Sequence, residues 1–147
     1  MDTLDTLFVL SAFVIQGALL VHFSLRKWAF DVAMRFGWIV YALCVPIAAL
    51  SAALWMGGKP WIFWLAGVLY TAWAIFGFTV EMILKITDWR SPIRLSIAVP
   101  YVGLYLASLM FFWWPLGLIR RPLWYIYAVL FAASTVLNVT SHKRPAL

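Results

Sequence analysis

The chain has 147 residues, 66% of them hydrophobic and 11% charged, with a formal net charge of +6 and a mean hydropathy of +0.97. A water-soluble domain of this size needs far more polar surface, so a protein dispersed without lipid is excluded. The basic excess is too scattered for a nucleic-acid surface; in so apolar a chain it orients helices and meets anionic headgroups.

In lipid the backbone must satisfy its own hydrogen bonds, and the apolar runs here are too long and too even for barrel strands. The expected fold is all-α, a single polytopic bundle of five transmembrane helices over residues 1–147, with spans near 7–25, 36–56, 60–84, 95–117 and 122–139. Each span is close to the roughly twenty residues that a hydrocarbon core of about 30 Å requires. The opening, MDTLDTLFVLSAF, places Asp2 and Asp5 where a secretory signal carries basic residues, so the first helix is expected to remain in the mature protein. That first span stops at Arg26 and Lys27 and carries Gln16 near its middle and His22 nearer its far end. The second holds the lone cysteine, Cys44, and a mid-span Pro46, and ends at Gly57-Gly58.

The third begins at Pro60, a favourable first-turn position. Its uncharged stretch from Trp61 to Val80 is followed by Glu81 and, four residues on, Lys85. Acid before base at that spacing is the stabilising order for a helical pair. Gly67, Thr71, Ala74 and Gly77 form a stripe of small residues on one helical face, and Glu81 continues it. Such stripes admit a close neighbour, so Glu81 is expected to face the bundle, with Lys85, Arg35 and Arg94 as candidate partners. The fourth and fifth spans are separated by Arg120-Arg121-Pro122, two surface charges and a helix-restarting proline. Pro100 is expected to kink the fourth span as Pro46 kinks the second. Ser134, Thr135 and Asn138 give the fifth a polar end.

Five spans put Arg26, Lys27, Arg35, Lys85, Arg90, Arg94, Lys143 and Arg144 on one side and Lys59, Arg120 and Arg121 on the other. The more basic side is expected to be cytoplasmic, with the N-terminus outside, most simply in a plasma (inner) membrane. Trp55, Trp61, Trp64, Trp113, Trp114 and Trp124 gather toward the outer side, while Trp28, Trp38 and Trp89 lie toward the inner. The outer group reads either as an interfacial belt or as a pocket for a flat, apolar ligand.

Within the membrane the polar candidates are Gln16, His22, Glu81, Lys85 and Asn138. The amide of Gln16 calls for a partner on another helix. A single His22 could bind a pigment centre or carry protons, but the other histidine, His142, lies in the C-terminal tail, so one chain supplies no pair to bracket a haem. There is no CxxC, HExxH, paired-carboxylate cluster or glycine-rich phosphate loop, so no catalytic or metal residue is assigned and no cofactor is named.

The stretch KPWIFWLAGVLYTAWAIFG, Lys59 to Gly77, resembles the loop and second helix of the tryptophan-rich sensory, or translocator, proteins, and ASTVLN near the end adds a second echo. That family is a five-helix, aromatic-rich membrane family that binds porphyrins and sterols. Its loop follows one helix and carries a double proline, whereas here two helices precede the stretch and the double proline is missing. No residue role is carried over.

Two readings of function lead, and a third, a lipid-modifying enzyme, trails them because no reactive constellation is visible. One is a non-enzymatic membrane protein, either a small subunit of a larger complex or homo-oligomer, or a binder of an apolar small molecule at the outer aromatic cluster. The other is a small transporter or channel with a polar path through Glu81, His22 and Gln16.

Overall fold

A computed structural model describes residues 1–86 and 92–141. The described residues form seven α-helices: α1 Thr3–Trp28, α2 Phe30–Phe36, α3 Trp38–Ala42, α4 Cys44–Met56, α5 Trp61–Phe78, α6 Leu95–Ile119 and α7 Arg121–Ser141. By length and composition they make five helices able to cross a membrane, because α2, α3 and α4 run on as one segment and a π-helical turn at Thr79–Ile83 extends α5. Trp89, Arg90, His142, Lys143 and Arg144 lie outside the described residues.

Local chemistry explains the boundaries. Asp2 caps α1: its carboxylate accepts from the Asp5 amide at 2.8 Å, and the Asp5 carboxylate accepts from the Asp2 amide at 3.2 Å. This reciprocal pair satisfies two donors that a helix start leaves open. One residue, Ala29, separates α1 from α2, so the second traverse starts at Phe30 rather than Phe36. The middle of that traverse is interrupted at Leu43, between α3 and α4. Pro46 has no amide hydrogen, and its ring crowds the carbonyl of Ala42 four residues back, which accounts for the break. At Pro100 the helix is not interrupted in this way: α6 runs from Leu95 to Ile119 through both Pro100 and Pro115. A single extended residue, Arg120, divides α6 from α7.

The expected Glu81–Lys85 pair needs an α-helical turn between them, and that turn is not formed. The chain widens at Thr79–Ile83, Leu84 N–H donates to the Thr79 carbonyl at 2.9 Å, and Lys85 takes a left-handed φ of 54°. Ile86 N–H closes the end on the Val80 carbonyl at 2.9 Å. Lys85 is thus the helix-ending residue, in a conformation that glycine or asparagine adopts more easily.

The traverses pack as a closed ring in chain order. α4 lies against α5, α5 against α6, α6 against α7, and α7 against α1, which also meets α2, α3 and α4. Lys59, between α4 and α5, bonds Asp2 at 2.7 Å and Asp5 at 2.5 Å, fixing one end of the ring. Lys27 Nζ bonds Thr140 Oγ1 at 3.3 Å at the other. Inside are Phe8, Ile15, Leu19, Tyr70, Leu109, Phe112 and Tyr127, all essentially inaccessible. Outside, valine, leucine and isoleucine such as Val14, Val45, Ile75 and Val129 stand exposed along the helices, the pattern of a bundle whose solvent is lipid.

The small-residue stripe on α5 is where neighbours come closest. A Cβ on Gly67 would lie 2.9 Å from Ser51 Oγ and 3.1 Å from the Ile47 carbonyl oxygen, so α4 and α5 touch backbone to backbone there. The Ser51 hydroxyl also donates to the Trp64 carbonyl. One on Gly77 would lie 2.7 Å from the Tyr41 ring and 3.0 Å from the Tyr101 ring. The absence of a side chain at 77 is therefore what lets two tyrosines from α3 and α6 meet over α5.

Candidate functional site

Those two tyrosines lead to Glu81. Tyr41 Oη donates to Glu81 Oε2 at 2.6 Å, and the Tyr41 and Tyr101 hydroxyls lie 3.0 Å apart. The carboxylate on the π-helical turn is thus tied through α3 to α6, across three traverses. Widened turns of this kind occur disproportionately at functional sites because they re-aim a side chain.

The three residues line a cavity of about 400 Å³ at the end of the ring that carries Arg26. α1 contributes Leu19, His22, Phe23 and Arg26; α2 and α3 contribute Phe30, Ala33 and Val40; α7 contributes Thr135, Asn138 and Val139. Trp73 and Tyr105 complete the inner wall. Trp73 is the hub of an aromatic cluster, with ring centroids 5.4 Å from Tyr41, 5.5 Å from Tyr70, 5.8 Å from Tyr101 and 5.5 Å from Tyr105. Tilted and edge-on packing of this sort makes a stiff apolar surface. Trp73 Nε1 and Tyr105 Oη are buried without a hydrogen-bond partner among the described residues. Tyr70 is anchored by donating to the Val40 carbonyl at 2.6 Å, beside the break in the second traverse.

The sequence-derived candidates separate into groups. Glu81, His22 and Asn138 come together around the cavity. Gln16 is buried elsewhere: its Nε2 donates to Ser134 Oγ at 2.6 Å and to the Leu130 carbonyl at 3.1 Å, joining α1 to α7. Lys85 is exposed at the end of the π-helical turn and is not part of the cavity wall. The outer tryptophans do not share one pocket. Trp113 stacks on Trp124 with centroids 4.7 Å apart, and its Nε1 donates to the Trp124 carbonyl at 3.0 Å, closing the α6–α7 turn. Trp55 and Trp64 flank a shallow apolar groove between α4 and α5, while Trp61 and Trp114 point outward and are more than half exposed.

Tyr41, Trp73, Tyr101 and Tyr105 were not singled out from the sequence. The available signal was their depth: these rings lie well inside their spans, where phenylalanine would avoid burying a hydroxyl or an indole N–H. Among the described residues no group of three or more His, Cys, Asp or Glu could hold a metal ion. No family model, no curated protein and no solved structure matches this chain.

Proposed function

We propose that this chain is a non-enzymatic membrane protein that binds an amphipathic small molecule, the apolar body against Trp73 and Tyr105 and the polar head at Glu81, Tyr41 and Tyr101. One observation carries the reading: a partly open, mainly apolar cavity whose wall includes a few polar side chains. That combination is the usual form of a small-molecule site. The reading keeps the apolar ligand inferred from composition but moves it from the outer tryptophans to the opposite end of the ring.

The orientation we propose rests on charge alone. Arg26, Lys27, Arg35, Lys85 and Arg94 belong to the cavity end, and Lys59, Arg120 and Arg121 to the other, so the cavity opens toward the cytoplasmic leaflet of a plasma (inner) membrane. The N-terminus is then outside and the C-terminus cytoplasmic. Membrane lipids are the first partners of the exposed apolar faces, and a homo-oligomer or larger membrane complex would use the same faces.

Native mass spectrometry of protein extracted from membranes tests the binding reading. The expected result is a co-purifying amphiphile that is lost in Val102→Trp, which fills the cavity from a half-exposed wall position. A ligand retained in that variant, or no ligand under any mild extraction, contradicts it. The transport reading draws on one observation, that His22 and Glu81 line the same cavity. It predicts ion- or proton-dependent flux in liposomes that disappears in Glu81→Gln, and flux unchanged by that substitution rules it out. Gln16, the third residue of that path, lies outside the cavity lining, with its Nε2 donating to α7.

A further inference from the structure

The last two helices of the ring, α6 and α7, are packed tightly near the turn that joins them. Trp113 stacks on Trp124 with centroids 4.7 Å apart, and a Cβ on Gly117 would lie 3.0 Å from the Trp124 ring. Toward the cavity end each helix turns to a different neighbour. Ser134 of α7 accepts from Gln16 of α1 at 2.6 Å, and Thr140 accepts from Lys27 at 3.3 Å. Tyr101 and Tyr105 of α6 pack instead on Trp73 of α5, with centroids 5.8 Å and 5.5 Å away. The space between the two helices belongs to the cavity, whose wall takes Val102 and Leu106 from α6 and Thr135 and Val139 from α7.

Three of these wall residues are also open to the surroundings: Val102, Leu106 and Val139 are 45%, 42% and 58% exposed. Leu19, Phe23 and Tyr105 line the same cavity and are less than a tenth exposed, so the cavity alone does not account for the difference. The cavity therefore opens sideways, through a seam between α6 and α7. Since α6 begins at Leu95, Leu106 lies roughly 16 Å along it at 1.5 Å per residue, about midway through a hydrocarbon core near 30 Å thick. What stands outside the seam at that depth is lipid chain. Water does not fill an apolar space there, and leaving it empty forfeits dispersion contacts along its walls.

We infer that the occupant of the cavity is a lipid of the membrane itself, one acyl chain of which enters sideways between α6 and α7. The inference rests on the binding role proposed above and names the ligand class for that same site. A cavity of about 400 Å³ is near the small end of the usual range for ligand sites, so one chain sits inside while the rest of the lipid stays in the bilayer. The polar part of the wall does not narrow the head further. Arg26, His22, Asn138 and Thr135 stand there with the Glu81 carboxyl, donors and acceptors together, and a phospholipid head meets both. Selection lies in the tail, which must reach the seam from within the bilayer.

Photolabelling of the full chain in lipid vesicles tests this, with a phosphatidylcholine that carries a diazirine in one acyl chain and, separately, with a diazirine-bearing dodecanol. The expected result is that both probes label Leu19, Phe23 and Tyr105, which are buried away from the outer faces of the bundle. In a Cys44→Ala background, where the seam then carries the only thiols, Val102→Cys and Val139→Cys are bridged by a bis-methanethiosulfonate before reconstitution. Bridging should abolish phospholipid labelling of the three buried residues, and reducing the bridge should restore it, so each sample reports on its own folding.

Phospholipid label that persists there in the bridged protein means entry elsewhere, as past the exposed Met34 on α2, and overturns the seam. Dodecanol label without phospholipid label overturns a membrane-lipid occupant while leaving the cavity a binding site. If the double variant does not fold, that comparison in the wild type decides alone. Absence of label from both probes overturns the binding role and this inference together.

Discussion

At the scale of single residues, the glycines separate positions that shape the bundle from positions that merely occupy a helix. Gly67 and Gly77 have neighbours where a Cβ would sit, whereas Gly17 and Gly103 have nothing within 4 Å. Gly67→Ala should therefore lower stability by about 1–3 kcal/mol, as overpacking of a tight interface does. Gly17→Ala and Gly103→Ala should raise it by about 0.5–1 kcal/mol through helix propensity. Thermal unfolding in one detergent checks all three. Gln16 supports a different expectation. Its bond to Ser134 spans α1 and α7, and such bonds in membranes contribute about 0.6 kcal/mol and at most about 1.7 kcal/mol. A double-mutant cycle of Gln16→Leu with Ser134→Ala should give a coupling in that range, and a coupling near zero would show that the two helices hold together by packing alone.

At the scale of elements, the five apolar segments were legible because bilayer length leaves little choice, and the structure places a helix over each. The RRP break between α6 and α7 was legible for the same reason, as charge and proline coincide there. The ends were read short because charged residues such as Asp31 and Arg35 were assigned to a loop, yet they extend a helix as it leaves the membrane. The widened turn at Thr79–Ile83 was not legible, since nothing in TVEMI distinguishes it from an ordinary turn. That turn undid the Glu81–Lys85 pairing, and the Glu81 carboxylate accepts from Tyr41. The site was half legible. Glu81, His22 and Asn138 stood out as charge or polarity in an apolar run, but the tyrosines were hidden among many aromatics. The break at Leu43 yields a prediction of its own. Pro46→Ala restores a donor for the Ala42 carbonyl and lets α3 and α4 fuse into one helix. Tyr41 lies in the segment that would turn, so ligand affinity should fall at least about tenfold by loss of its bond while the unfolding temperature does not fall.

At the scale of the whole molecule, the two ends of the ring are fastened by different chemistry. Away from the cavity, Lys59 clamps the start of α1 through Asp2 and Asp5. The Lys59 ammonium beside it holds the Asp2 carboxyl below its ordinary 3.8, and Asp2 with Asp5 holds the ammonium above its ordinary 10.5. A depressed carboxyl adds stability above 3.8 that is lost as pH falls through its folded value. A raised ammonium adds stability below 10.5 that is lost as pH rises through its folded value. The clamp is therefore complete between those limits, and because Asp2 is exposed to solvent its effect is small. The difference in unfolding temperature between wild type and Lys59→Met should be positive near neutrality and vanish at pH values well below 3.8. At the cavity end, Tyr41, Glu81 and Tyr101 join α3, α5 and α6 around a space that a ligand can fill. The most direct test of that assignment is photolabelling in native-like membranes with a diazirine-bearing long-chain alcohol, followed by mapping of the labelled residues. The account predicts label concentrated on the cavity wall around Val102, Tyr105 and Met82 and displaced by excess dodecanol. Label spread along the lipid-facing valines, or gathered in the groove between Trp55 and Trp64, would contradict it.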